Sequence, residues 1–127
     1  MSWPHHLMNP ESLSTLFDSI DELDRLNVFE ITLKREGPVL ALRADLPRFP
    51  ERPSKRWPPG ANRVQVSIEL LGVEGLSLSG FAPVNHGHLE VEPSLPGYAF
   101  SFHAQNLALS GRCSGLRIAG VSAYLEA

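Results

Sequence analysis

Cysteine is almost missing from this chain. Cys113 stands alone among 127 residues, so no internal disulfide can form and no cysteine-based metal centre can be built from it. Long apolar runs are missing too: uninterrupted apolar stretches are only a few residues, far short of the roughly 20 that a membrane helix needs, so no membrane partner is expected. Neither sign of charge is in large excess. A formal charge of −3 and a pI near 5.9 lack the strongly basic balance of a general nucleic-acid binder, so none is expected as a partner. The opening Met1-Ser2-Trp3-Pro4-His5-His6 has no basic region followed by an apolar stretch, so it is not a secretory signal and a cytoplasmic location is expected. There is no Gly-x-Ser-x-Gly elbow, no Gly-x-Gly-x-x-Gly and no phosphate-binding Gly-Lys-Ser/Thr loop.

What is present suits one globular domain. Hydrophobic residues make up 43% and charged residues 20%, too apolar for a disordered chain, and 127 residues can bury a core without staples. A single domain over 1–127 is expected, with a flexible terminus at 1–8 and a proline-rich basic loop at 47–62. Asn9 suits a helix N-cap and Pro10 the first helical position. Leu13, Leu16, Phe17, Ile20 and Leu23 then follow helical spacing, which predicts a helix from Pro10 to an end between Asp18 and Arg25.

After Asn27 the period changes to two. Phe29, Ile31 and Leu33, then Leu40, Leu42 and Leu46, flank the turn Arg35-Glu36-Gly37-Pro38 and predict an antiparallel hairpin. Alternation resumes at Val64, Val66, Ile68 and Leu70, and continues through Leu76 and Leu78, Leu89 and Val91, and Tyr98, Phe100 and Phe102. It ends with Leu107 and Leu109, Leu116 and Ile118, and Val121, Ala123 and Leu125. The expected fold is mainly β: an antiparallel meander of about eight or nine strands, forming a curved sheet or a two-layer sandwich. The N-terminal helix would cover its apolar face or an open end.

Candidate chemistry is sparse. His86 and His88 are two apart, the same side of a strand, and with His103 they offer imidazoles to a metal or small molecule. The plain alternative is a polar hairpin loop bent at Gly87. His5-His6 belongs to the loose terminus. Cys113, beside Arg112, could pair with His103 as a nucleophile, but a free cysteine is most often simply buried. Tyr98, Phe100 and Phe102 could line a cavity, and are more often core. No cofactor is expected, and no catalytic residue.

Charge asymmetry says more. Glu11, Asp18, Asp21, Glu22 and Asp24 face only Arg25 in the N-terminal part. The middle carries Arg43, Arg48, Arg52, Lys55, Arg56 and Arg63 against Asp45 and Glu51, an arrangement that steers a charged partner. Five of the eleven prolines lie in the loop between Leu46 and Asn62, with Trp57 among its basic residues. Trp and Arg are enriched in interface hot spots. Trp57 can equally fold back and plug the end of the sheet.

Several segments, in order, resemble a known family. They are the N-terminal Leu13-Leu16-Phe17, the turn Arg35-Glu36-Gly37-Pro38, Asp45-Leu46-Pro47-Arg48-Phe49-Pro50, Arg56-Trp57-Pro58 and Asn62-Arg63-Val64-Gln65-Val66. Leu71-Gly72-Val73-Glu74-Gly75-Leu76-Ser77-Leu78 and Val121-Ser122-Ala123-Tyr124 complete the set. Over about residues 13 to 125 the chain resembles the immunity protein 50 family of bacterial polymorphic toxin systems. Where that family carries an aromatic residue, often Trp, after a glycine, this chain has Gly80-Phe81. The resemblance implies a non-enzymatic protein, monomer or weak homodimer, that binds a cognate toxin in the cytoplasm and blocks it. Two contact patches are expected: Arg52, Lys55, Arg56 and Trp57, or Asp18, Asp21, Glu22 and Asp24. Two readings of other classes stand beside it. One is a small-molecule or metal-binding β-barrel, cupin-like, using His86, His88 and His103. The other is an oligomeric structural module joined through a sheet edge.

Overall fold

A computed structural model describes residues 2–127. It contains one open antiparallel sheet of eight strands: β1 (Arg25–Lys34), β2 (Val39–Asp45), β3 (Arg63–Leu71), β4 (Glu74–Ser79), β5 (His86–Ser94), β6 (Gly97–Ala104), β7 (Leu107–Cys113) and β8 (Gly115–Tyr124). Their order across the sheet is β4-β7-β6-β5-β1-β2-β3-β8. The two-layer sandwich and the meander are therefore set aside, because β1 lies beside β5, β8 beside β3 and β4 beside β7; one open antiparallel sheet of eight strands stands. Curvature is visible in the packing. Leu40 of β2 and Leu109 of β7 are four strand positions apart yet line the same groove, so the sheet curls back toward itself.

Period-two alternation explains the strands. Along β3 the even positions Val64, Val66, Ile68 and Leu70 are buried, while the odd positions are partly or fully exposed. The two C-terminal runs read as separate strands are one, because β8 runs unbroken past Gly120 and its one extra residue, Ala119, is absorbed opposite the Ser67–Ile68 step of β3. Gly72 ends the β3 turn at φ 61°, and a Cβ there would meet the Ser114 hydroxyl at 2.7 Å. Only glycine satisfies both constraints.

The N-terminal segment fills the concave side. Trp3, Leu7, Leu13, Phe17 and Leu23 are buried in the same cluster as the inward residues of the sheet. The flexible terminus expected at 1–8 is thus a packed segment over the described residues 2–8: Trp3–His6 forms a 3-10 turn, and the Trp3 indole N–H donates to the Leu23 carbonyl at 2.9 Å.

The helix expected from Pro10 to beyond Asp18 is a single turn, α1 (Glu11–Ser14). Its apolar positions are buried as helical spacing requires, but the ladder stops, for a reason 33 or more residues away in sequence. A continuing helix would bond the Asp18 N–H to the Ser14 carbonyl. Instead Glu51 Oε1 accepts from the Asp18 N–H at 3.0 Å, and Arg52 Nη2 donates to the Ser14 carbonyl at 3.0 Å. Asn9 does not cap the helix with its side chain either. Its carboxamide bonds both the N–H and the carbonyl of Ile118, each at 2.9 Å, and so covers the outer edge of β8.

Candidate functional site

The 47–62 loop lies against the segment between α1 and β1, and the expected basic and acidic patches meet there. Arg52 is the knot. Its guanidinium pairs with Asp18 and donates to the carbonyls of Ser14, Thr15 and Phe17, the last at 2.9 Å, while its N–H donates to the Leu16 carbonyl at 2.9 Å. Arg48 adds a bond of 2.6 Å to the Ser19 carbonyl, an ion pair to Glu51 and a stack over the Phe17 ring at 4.8 Å. Glu51 is held below the usual carboxylate range, first by the Asp18 N–H it accepts and less by Arg48 and Arg52. The two patches are one stitched surface, with much of its charge already spent internally.

The remaining candidates divide between engaged and free. Asp21 accepts from His5 Nε2 at 2.5 Å and from the Ser19 hydroxyl, and the His5 bond is the main reason its pKa is depressed. Asp24 is likewise depressed, chiefly by the hydrogen bond to His88 Nδ1 at 3.1 Å. Among the described residues Lys55, Arg56 and Glu22 make no ion pair, and all three are exposed. Glu22 also adopts a left-handed backbone, φ 61°, an uncommon state for a residue with a side chain. Trp57 is half-buried, edge-on to Phe49 at 5.8 Å between centroids, and packs against the core. It folds back onto the core and stays partly exposed.

His86, His88 and His103 do reach one place. They line an open cleft of about 530 Å³ with Arg25, Arg63 and Asp45. Among the described residues, however, no group of three His, Cys, Asp or Glu side chains is placed to hold a metal ion. Gly87 is there for packing, not for a bend: a Cβ would stand 2.2 Å from the His103 carbonyl oxygen on β6. Within the cleft wall, buried Asp45 accepts from the Tyr124 hydroxyl and from Gln65 Nε2. Burial, then the Asp45 hydrogen bond, pushes the Tyr124 phenol up to about 12.

Cys113 and His103 do not meet. His103 pairs with Ala108, five residues along β7 from Cys113, a separation of about 17 Å. Burial raises the Cys113 thiol pKa, the state of an unreactive core cysteine. Phe100 and Phe102 are core, while Tyr98 is half-buried beside His6. The periodicity did not expose two features: the bifunctional Asn9, and a groove between β1 and β4. The apolar Phe29, Ile31, Leu33, Leu76, Leu78 and Phe81 that line the groove are visible in the sequence, but not that they come together.

With this geometry in view, a comparison with family models is decisive: residues 9–124 match the model of immunity protein 50. The chain belongs to the immunity protein 50 family. The match runs from Asn9, which covers the edge of β8, to Tyr124, which bonds Asp45, so family membership embraces the whole sheet and the stitched loop. No curated protein and no solved structure matches the chain. Among the described residues no helix is long and apolar enough to cross a membrane.

Proposed function

We propose that this protein neutralises a cognate bacterial toxin in the cytoplasm by binding it and covering a surface the toxin needs, without catalysis. The observation that carries this reading is the immunity protein 50 match over residues 9–124. The stitched loop supports a binding role. Its backbone is pinned by Arg52 and Arg48 and stiffened by five prolines, so little ordering entropy remains to be lost on docking. Free charges project from that rigid frame: Lys55 and Arg56 on the loop, and Glu22 on the neighbouring segment, beside the partly exposed Trp57. We assign one contact with the toxin to this mosaic, with Arg52, Asp18, Asp21 and Asp24 holding its shape and Lys55, Arg56, Trp57 and Glu22 meeting the partner. A stable complex buries about 1,600 Å² in total, a patch that a domain of this size can present.

The test is co-expression with the toxin encoded by the neighbouring gene. Wild type should restore growth, and the double variant Lys55→Glu/Arg56→Glu should weaken binding at least 10-fold, an expectation of about 1.4 kcal/mol. Because both residues are exposed and unpaired, the variant should keep the wild-type melting temperature. Growth inhibition that wild type does not relieve would overturn the reading.

A further inference from the structure

β1 is paired along most of its length on one side and only at its start on the other. β2 pairs with it from Asn27 to Lys34 apart from Phe29, the extra residue of a bulge, whereas β5 reaches only Arg25–Asn27. β4 ends the sheet and pairs with β7 alone. The turn after β4 returns to β1 and makes an apex. There the Val28 N–H donates to the Asn85 carbonyl at 3.1 Å, and the buried Asn85 carboxamide donates to the carbonyls of Val28 and Ala82.

From that apex the outer half of β1 and β4 border a groove of about 360 Å³. Phe29, Ile31 and Leu33 form one wall, and Leu76, Leu78 and Phe81 the other. Leu40 of β2 and Leu109 of β7 flank it, so the two unpaired strand edges face each other across it. Leu33, Leu78 and Phe81 are 58%, 50% and 53% exposed, a large apolar exposure for side chains that would otherwise complete the core. The contrast with the other edge of the sheet is sharp. β8 is covered by the Asn9 carboxamide and by the Met8 N–H, which donates to the Leu116 carbonyl at 2.8 Å. One edge is guarded, and the other is left open.

We propose that this groove is a slot for one extended segment of the toxin, added as a strand between β1 and β4. The proposal rests on the toxin-binding reading above. Unpaired backbone on both sides, otherwise left to water, is matched along its length by another extended backbone and not by a helix or a small apolar ligand. Phe29, Ile31 and Leu33 are spaced by two, so the incoming strand presents apolar side chains at alternate positions and polar ones between. The free edge Phe29–Lys34 is about 20 Å long, room for some six residues. A second copy of this chain is a poor occupant. All its strands are already in the sheet, and its N-terminal segment is packed.

Two arms separate this proposal from the reading it rests on. In the first, random 12-residue peptides displayed on phage are selected against the wild-type protein. Peptides with alternating apolar residues should be enriched, should protect the amides of Phe29–Lys34 and Glu74–Ser79 from exchange, and should bind Leu33→Glu and Leu78→Glu about 30-fold more weakly. Both side chains are half exposed, so melting temperatures should barely change. In the second arm, the neighbouring gene product should show the same dependence and compete with the peptide. Peptides that ignore both substitutions overturn the slot. A slot that binds peptide while the toxin binds equally to both variants overturns the toxin as its occupant. A toxin that binds nowhere overturns the underlying function and leaves the slot itself established. A dimer abolished by Leu78→Glu in sedimentation would make the occupant a second copy and refute the proposal.

Discussion

At the scale of single residues, the long polar side chains decide local structure. Arg52 gathers three carbonyls and a carboxylate that would otherwise be left to water or to a longer helix. Arg52→Ala should therefore cost about 1–2 kcal/mol, a charge-assisted network discounted for a side chain half open to solvent. The expected signature is local as well as global: a lower urea midpoint, with faster amide exchange at residues 14–19 than elsewhere. Arg52→Lys should recover little, because an ammonium cannot span the same carbonyls. Such contacts were not legible in the sequence. The spacing of Leu13, Phe17 and Leu23 correctly marked core positions, but it could not show that a loop more than 30 residues away takes over the helix's hydrogen bonds. The charges of Asp18 and Arg52 were visible; that they neutralise each other was not.

At the scale of elements, the strands were legible and their order was not. Alternation fixes which face of β3 or β5 is buried, whereas nothing in β4 says that it will pair with β7 rather than β3. The groove followed from that order, so it too was hidden. Pairing also sets a pH dependence. Glu69 of β3 lies beside β8 and is held below its ordinary pKa of 4.5, first by its hydrogen bond from Arg117 and then by Lys34. A carboxylate depressed in the fold adds stability above its unfolded pKa and loses it as pH falls through the lower folded value, since the unfolded chain then binds the proton more readily. Glu69→Gln should thus be less stable than wild type near neutrality, and the difference should shrink as pH falls below 4.5 and through the lower folded value, checked by urea midpoints across the acid range. Parallel curves for the two proteins would show that the β3–β8 pairing does not use this charge.

At the scale of the whole molecule, one curled sheet is completed by an N-terminal segment of irregular chain. Trp3 is fully buried and bridges to Leu23, so the segment closes the concave side as a strand of a second layer would in a sandwich. Trp3→Ala should cost about 3–5 kcal/mol, read as a drop of the order of 10 °C or more in melting temperature. An aromatic so close to the start of a chain gives no periodicity to read, which is why a loose terminus was the natural expectation. The proposed function belongs to this scale, because the loop joins the β2–β3 end of the sheet and the groove lies along the far half of β1. The most direct measurement is a calorimetric titration of the wild-type protein with the neighbouring gene product. A saturable one-to-one complex with a dissociation constant in the nanomolar range is predicted, about −12 kcal/mol, tight enough to hold a toxin inactive. No heat and no complex at micromolar concentrations of both proteins would contradict the account at its centre.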